Sequence, residues 1–388
     1  MKKNGLRRTN AFLLYAMPVL LASVLEFVHA TEDGAKGEHD NSSFNARLGG
    51  RLQLDTALLD DNKTELKDGV IVRRARLSLG IDFRQHWRFR VQYDLADEEE
   101  RYASLWLRYS GFSDVDVTLG QFQEPFGLEA STSSNNIIFM ERSLSSTLVP
   151  GTNVGISLRR WNDRWSVNGG VFWETYIEES NPFRRKEGYG ISGRLTFVPI
   201  HQKYKVLHLG ISASYRVPDD SSRVRFRARP ESYLTDQRLI STGRVKNVND
   251  YLTLGMESAL MFDSLMLQGE YFQTSVYRSE GRDDARFDGA YLLASILLTG
   301  ESRRYSNRSG NFSGVKLKKG GAWELAVRRS YLDLNSTSGV VRGGRQDNIT
   351  WGVNWYPHQN LRVMLNYIHV AADDVDSDIL QMRFQWAI

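Results

Sequence analysis

The sequence predicts an all-β protein, a transmembrane antiparallel β-barrel of about sixteen strands. Three observations predict this fold class: apolar and polar residues alternate along most of the chain, many alternating segments are ten or more residues long, and aromatic residues recur near segment ends. Residues i and i+2 of a strand point to the same face, so this period gives each strand one apolar and one polar side.

The first thirty residues form a separate segment. Four basic residues lie within the first eight positions, an apolar run follows at 11–25, and Ala30 offers a small residue for cleavage, as in a secretory signal peptide. A membrane anchor is the alternative, but the run is shorter than the roughly 20 residues that a spanning helix needs. We expect residues 1–30 to be removed and the polar residues 31–43 to form a flexible mature N-terminus.

The charge balance changes once this segment is removed. The whole chain has a formal net charge of +4, and residues 31–388 contain 46 basic and 45 acidic residues. This near-neutral balance argues against a nucleic-acid partner, which clustered basic residues would favour. The 38 arginines still outnumber the 12 lysines, and a guanidinium is a planar, permanently charged fork suited to oxyanions.

Residues 44–388 read as a single barrel domain. Spanning strands need roughly 9–11 residues, whereas strands of soluble sandwiches and propellers are usually 5–6 residues long. Segments of the longer kind begin near residues 44, 70, 86, 101, 114, 152, 164, 188, 205, 250, 264, 288, 321, 347, 360 and 378.

Aromatic residues at the apolar positions of the alternating strands support a barrel whose outer face contacts lipid. They lie mostly near segment ends, where a barrel has girdles at the two lipid interfaces, and they are Trp87, Tyr93, Tyr109, Trp165, Trp173, Trp351, Trp355, Tyr367 and Trp386. The mean hydropathy of -0.42 fits this fold, because half of each strand faces water. Sixteen strands leave an aqueous lumen, and the signal peptide and even strand number indicate a bacterial outer membrane.

The connections fall into two sets. We expect the tight ones on the periplasmic side, at 85–86, 162–163, 199–203, 263–264 and 358–359. We expect the longer ones outside, at 58–69, 122–151, 176–187, 218–248, 278–287, 301–319 and 333–346. The segments 122–151 and 218–248 are too long for simple turns, and long loops are usually functional.

Several motifs in collinear order give the chain a resemblance to a known family. They include Gly49-Gly50-Arg51-Leu52-Gln53, Arg73-Arg74-Ala75-Arg76-Leu77, Gln92-Tyr93-Asp94-Leu95, Leu119-Gly120-Gln121-Phe122-Gln123-Glu124-Pro125-Phe126-Gly127, Met140-Glu141-Arg142 and Phe226-Arg227-Ala228-Arg229-Pro230-Glu231. With these motifs the chain resembles the phosphate- and polyphosphate-selective outer-membrane porins, the porin O/P family, over essentially the whole of residues 44–388.

The resemblance implies a function and an assembly. It implies a homotrimer of sixteen-stranded barrels embedded in outer-membrane lipid, each passing inorganic phosphate, polyphosphate or other small anions. It also implies that the third long loop, here 122–151, folds into the lumen, and that arginines line the anion path. Rings of Arg or Lys are a general device of anion pores.

Strand parity identifies candidate pore-lining residues. In the first three strands, the alternate positions with polar side chains include Arg51, Arg74, Arg76 and Arg88. Arg73 occupies a position of the apolar set instead, and we expect it where its strand ends or bends. In the loop 218–248 basic residues recur at every second position and match the family's arginine ladder. They are Arg223, Arg225, Arg227 and Arg229. A solvated basic loop is the alternative reading.

The inward loop departs from the family at one position. In phosphate-selective members a Thr-Ser-Ser motif followed by Lys forms the central binding site, but here Thr132-Ser133-Ser134 is followed by Asn135. Ser134 and Asn135 are therefore the candidate residues of the narrow zone. The missing lysine predicts weaker phosphate binding, or a preference for longer or different anions held by arginines.

Other functional classes have less support in the sequence. No serine nucleophile motif accompanies the histidines, so we expect no enzyme and no catalytic residues. No metal-ligand spacing occurs, and we expect neither a metal nor another cofactor. The alternatives that stay open are a general or differently selective diffusion pore and a plugged structural or adhesive barrel, because a long inserted loop could seal the lumen.

Overall fold

The computed structural model describes residues 44–61, 69–96, 102–173, 188–219, 221–279, 281–318, 320–373 and 375–388. The expected signal peptide, residues 1–30, and the expected N-terminal segment, residues 31–43, lie outside the described residues. Most of the expected outer loops 58–69 and 176–187 lies outside them as well. Among the described residues, no helix is long and apolar enough to cross a membrane.

Sixteen antiparallel strands form one closed barrel, which confirms the predicted fold class. Every predicted start lies within five residues of an observed one. The barrel strands are β1 Asn45–Asp61, β2 Gly69–Phe83, β3 Trp87–Asp94, β4 Tyr102–Phe112, β5 Val115–Gln123, β6 Thr152–Trp161, β7 Trp165–Trp173, β8 Tyr189–Gln202, β9 Lys205–Val217, β14 Val248–Phe262, β15 Leu265–Arg278, β16 Ala285–Leu297, β19 Ala322–Asn335, β20 Arg342–His358, β21 Leu361–Ala372 and β22 Val375–Ala387. β1 pairs with β22 and closes the barrel.

Alternation along the strands separates a lipid face from the interior, as β20 illustrates. Trp351 and Trp355 are 46% and 40% exposed on the outside, whereas Asn348 and Asn354 between and beside them are fully buried within the barrel. Trp355 stacks on Trp323 of the neighbouring strand, with ring centroids 5.6 Å apart. The predicted aromatic girdle therefore exists at this part of the surface.

The lengths of the connections show which end of the barrel faces the periplasm. Tight turns follow β2, β4, β6, β8, β14 and β20 at one end, and short turns mark the periplasmic side of such barrels. Because neighbouring strands are antiparallel, the connection from β16 to β19, residues 298–321, lies at the same end. The expectation that 301–319 lies outside is therefore wrong. Counting strands would have shown this, since every even-numbered strand of the barrel runs toward the periplasm.

Within this connection, residues 298–318 fold into the lumen and form a small hairpin, with β17 at Arg303–Ser306 and β18 at Asn311–Val315. Polar contacts hold this periplasmic hairpin to the wall: Arg308 pairs with Asp116 at 2.6 Å, and Arg194 donates to the carbonyl of Gly310 at 2.9 Å. The hairpin therefore occupies part of the periplasmic end of the pore.

The connection from β5 to β6, residues 124–151, crosses the lumen and is called the inward loop below. It contains one turn of helix, α1 Leu128–Ser131, and a short 3₁₀ helix at Leu144–Leu148. Its backbone is held by the wall that includes β20 and β21: Asn354 donates to the Ile138 carbonyl at 3.0 Å, and Arg362 donates to the Ile137 carbonyl at 2.7 Å. The predicted inward-folded long loop is thus present.

The connection from β9 to β14, residues 218–247, covers the inward loop from outside and is called the outer loop below. It forms two short ladders, β10 Arg223–Val224 with β13 Val245–Lys246, and β11 Arg227–Ala228 with β12 Ile240–Ser241. Apolar residues of the outer loop, the inward loop and β15, β16 and β19 share one buried cluster. This burial stabilises both loops inside the barrel.

Candidate functional site

A polar cavity of about 650 Å³ remains in the lumen. One side is the wall formed by the first eight strands, and the other is the inward loop from Pro125 to Ser134. Ser309 and Asn311 of the periplasmic hairpin contribute to the lining. Nine arginines line this space: Arg51, Arg73, Arg74, Arg76, Arg90, Arg108, Arg142, Arg159 and Arg194. The cavity is therefore rich in guanidinium groups.

A β-bulge explains how Arg73 and Arg74 both reach the interior. Gln53 of β1 pairs with Arg74 and Leu54 pairs with Val72, so Arg73 is the extra residue of β2. An extra residue bends its strand and redirects side chains. The expectation that Arg73 lies where its strand bends agrees with this register.

The first three strands bring several predicted residues to the same wall. Arg51 and Arg76 are cross-strand partners, and both line the cavity with Ser134. Arg51 donates to the Ser134 hydroxyl across the lumen, whereas Arg76 pairs with Asp94 at 2.5 Å. The Arg51–Ser134 contact joins the wall to the inward loop.

The two carboxylates of the inward loop after Gly127 face away from the cavity. Glu141 accepts hydrogen bonds from Arg73 at 2.8 Å and from Arg383 at 2.6 Å. Burial alone would raise the pKa of Glu141, but Arg73, Arg383 and Arg74 outweigh it and hold that pKa far below its usual range. Glu129 accepts from Ser143 at 2.9 Å and pairs with Arg328 at 3.2 Å. Both carboxylates are thus neutralised against the protein.

Some lining arginines have no such neutralising partner. Within the described ranges, no carboxylate lies within ion-pair distance of Arg51, Arg90, Arg108, Arg142 or Arg159. Arg142 instead donates to the backbone carbonyls of the inward loop, and Arg108 donates to a threonine hydroxyl at 3.1 Å. The guanidiniums of Arg76, Arg90 and Arg142 also repel that of Arg51, and the carboxylate of Asp94 attracts it from beyond ion-pair distance. The cavity therefore has a positive potential that an anion can relieve.

The outer loop supplies a basic approach to the cavity. Arg223, Arg225 and Arg227 are exposed, whereas the residues between them face the protein. Arg229 lies deeper, with its guanidinium 4.2 Å from the ring centre of Tyr233. Arg73 lies 3.5 Å from the same ring centre. The Tyr233 ring therefore joins the outer-loop arginines to the cavity wall.

Two of the predicted residues lie elsewhere. Arg88 is at the periplasmic mouth, 45% exposed and paired with Asp82 at 2.5 Å. Asn135 lines a second cavity of about 140 Å³ with Arg303 and Arg362. It is not among the residues that line the main cavity, so the expectation that it shares the narrow zone with Ser134 does not match this geometry. Ser134 and Asn135 therefore line different cavities.

Sequence reasoning missed several lining residues. Arg90 has the same parity on β3 as Arg88, and Arg108 and Arg159 have the inward parity of their strands, so parity could have identified all three. Arg142 lies in the motif Met140-Glu141-Arg142, but its position in a loop gives no indication of the direction of its side chain. Tyr233 had no signal in the sequence, because a loop contact depends on the tertiary fold.

Comparison with known proteins agrees with the barrel fold. Residues 46–388 match the family model described as phosphate-selective porin O and P. The chain belongs to the porin O and P family. It is accordingly a porin of the bacterial outer membrane, where porin O/P channels reside.

Individual relatives and solved structures share only part of their sequence with this chain. Porin O of Pseudomonas aeruginosa is 25% identical over 91% of this chain and 89% of its own length, and an uncharacterized protein of Caulobacter vibrioides is 30% identical over 84% and 68%. Among solved structures, the trimer form of OmpT from Vibrio cholerae has a TM-score of 0.56 at 9% identity, covering 89% of this chain and 100% of its own. An anion-selective porin from Comamonas acidovorans has a TM-score of 0.56 at 12% identity, covering 89% and 100%. These structures share the fold with the porin.

Proposed function

We propose that this porin is an anion-selective channel through which phosphate, polyphosphate or related small anions diffuse passively along arginines. The observation that carries the proposal is the set of five lining guanidiniums that have no carboxylate within ion-pair distance among the described residues. A cation in this lumen would meet repulsion. An anion would exchange part of its hydration for guanidinium contacts.

The arrangement suits conduction rather than tight binding. Conduction needs several weak sites in series, so that an anion enters readily and still leaves. Exposed arginines of the outer loop would collect anions, Arg229 and Arg73 would pass them inward beside Tyr233, and Arg51 and Arg90 would receive them in the cavity. The carboxylate of Asp94, which pairs with Arg76 at 2.5 Å, tempers the attraction.

The proposed preference for phosphate rests on arginines and not on a lysine at the inward loop. Asn135 stands where the family motif has Lys, and its side chain faces the smaller cavity. Of the nine lining guanidiniums, the five without a carboxylate partner among the described residues offer pairs of donors to an extended anion. We therefore infer that the channel holds oxyanions by bidentate contacts and holds orthophosphate weakly.

Single-channel recording in planar bilayers tests the function. In a KCl gradient the reversal potential should lie near the chloride equilibrium potential, and phosphate and pyrophosphate should reduce the chloride current. A barrel without conductance would support the plugged alternative. An unselective channel, or a chloride-selective channel that phosphate does not block, would support a diffusion pore without phosphate specificity.

We also propose that the porin is a homotrimer. The family resemblance and the trimer form of the similarly folded OmpT support this assembly. Large apolar side chains on the outside of β4, β5 and β6, such as Leu105, Leu119 and Leu158, are 41–58% exposed in the single chain and could be covered by lipid or by another subunit. Mass measurement of the detergent-solubilised porin would distinguish a trimer from a monomer.

A further inference from the structure

The wall of the lumen between β4 and β7 carries an aromatic strip, formed by Trp106, Phe122 and Phe172. Trp106 and Phe122 line the main cavity. Phe172 is fully buried beside them, with its ring centroid 5.5 Å from that of Phe122 in an edge-on arrangement. Trp106 differs in this respect from tryptophans such as Trp351, which are exposed on the lipid side.

Two glycines occupy the sheet positions beside Trp106. Trp106 pairs across the sheet with Gly120 of β5, and Gly120 pairs with Gly155 of β6. Gly120 has a φ of 125°, and a Cβ there would lie 2.3 Å from the carbonyl oxygen of Leu105. A side chain is therefore excluded from the position next to Trp106. At Gly155 a Cβ would overlap the ring of Phe172, so the two glycines let the strands and the aromatic rings approach closely beside Trp106.

Guanidinium groups surround the same part of the wall. Arg90 is the cross-strand partner of Trp106, and the guanidinium of Arg108 lies 4.5 Å from the centre of its ring. Arg159 lines the cavity on β6, two strands away. Among the described residues, no carboxylate forms an ion pair with any of these three arginines. Asp116, which pairs with Arg308, attracts Arg108 and Arg159 from beyond ion-pair distance. Apolar surface and guanidiniums without a carboxylate ion-pair partner therefore occur together.

Inorganic phosphate would use only half of this surface. A phosphate group can contact the guanidiniums but gains nothing from an indole or a phenyl ring. A flat apolar ring carrying one anionic group would bury its ring against Trp106 and Phe122, while its charge meets Arg90, Arg108 or Arg159. On the opposite side of the cavity, Pro125 and Ala130 of the inward loop add small apolar surfaces.

We propose that the aromatic strip, with Arg90, Arg108 and Arg159, is a subsite for small organic anions that carry a flat apolar ring, such as aryl phosphates and aryl carboxylates. The proposal rests on the proposed anion channel and adds a substrate class to it. The ring packs against Trp106 and Phe122, and the anionic group contacts the guanidiniums.

The test compares two blockers of equal charge. Phenyl phosphate and methyl phosphate are added to the porin in planar bilayers, and the concentration of each that halves the chloride current is measured. Phenyl phosphate should block at about 3- to 10-fold lower concentration, the factor expected for one aromatic contact. In Trp106→Gln this ratio should fall to about one, whereas Trp106→Phe should keep most of it.

A matched control keeps the outcome specific. Trp351→Gln makes the same exchange on the lipid side and should preserve the wild-type ratio. Equal block by the two phosphates in the wild type, or an unchanged ratio in Trp106→Gln, would overturn the subsite while leaving a chloride-selective, phosphate-blocked channel intact. A wild-type reversal potential that shows no preference for chloride would instead overturn the anion channel itself, and the subsite with it.

Discussion

Replacing Arg51 with Gln gives a direct measure of how much one lumen arginine contributes. Arg51 is 9% exposed, lines the cavity and forms no ion pair with a carboxylate of the described residues. Gln keeps a polar side chain of similar length but removes the charge. We expect weaker phosphate block and a reversal potential shifted away from the chloride equilibrium potential, because one of the uncompensated charges is lost.

The size of the cavity determines how strongly Arg51→Gln should weaken phosphate block. A sphere of about 650 Å³ has a radius of about 5 Å, so an anion at its centre lies about 6 Å from a lining guanidinium. The attraction of one unit charge at that distance is about 0.7 kcal/mol with the dielectric constant of water, and about 2.8 kcal/mol at an effective value of 20. Arg51→Gln should therefore weaken block by a singly charged phosphate by about 3-fold to 100-fold.

Two further variants test whether the effect of Arg51→Gln comes from the loss of a charge in the lumen. Ser134→Ala removes the hydroxyl that accepts from Arg51 but keeps the charge, so its effect should be much smaller. Arg329→Gln removes a charge that is 69% exposed outside the barrel and paired with Asp347 at 2.8 Å. It should leave phosphate block within about twofold of the wild type, because Asp347 offsets this charge and the barrel wall separates it from the lumen. Equal effects of Arg51→Gln and Arg329→Gln would refute the reasoning.

Three other results are expected. Glu231→Gln should destabilise the barrel by up to about 3–5 kcal/mol in a urea titration, because it removes the carboxylate that pairs with buried Arg328 at 2.6 Å; stability within about 1 kcal/mol of wild type would contradict this. Replacing residues 304–314 with a short Gly-Ser turn should raise single-channel conductance, since Ser309 and Asn311 narrow the cavity; an unchanged conductance would count against it. Glu141 has a lowered pKa in the folded state. The contribution of its ion pairs to the stability of the folded porin should therefore be complete above the ordinary carboxyl pKa of about 4.3 and should decline below it. Between pH 5 and 3, thermal unfolding in detergent should show a larger loss for wild type than for Glu141→Gln, and equal losses would argue against this role.

Much of the fold was predictable because the sequence pattern has a direct cause. A strand with one side in lipid and one in water must alternate, so the alternation gave the strand number and the positions of most strand starts. Parity likewise assigned Arg51, Arg74 and Arg76 to the interior, and they line the cavity. The exceptions occur where the period breaks, as at the bulge that turns Arg73 inward.

The loops were harder to predict. Residues 301–319 were expected outside because of their length, yet antiparallel strand order puts them at the periplasmic end. Asn135 and Ser134 are neighbours in the chain but face different cavities. Loop residues follow no fixed period, so their directions depend on contacts with distant strands, such as the hydrogen bond from Gln385 to the Asn135 carbonyl at 3.3 Å.

The sequence by itself determined a sixteen-stranded barrel with a basic, water-facing interior, because lipid and water impose a period of two on every strand. Only the tertiary structure decided which charges remain available to an anion. Glu129 and Glu141 pair with Arg328, Arg73 and Arg383 of distant strands, and these pairings exist only after the inward loop has docked. The proposed anion selectivity therefore depends on which charges are neutralised across the barrel, a property of side chains far apart in the sequence.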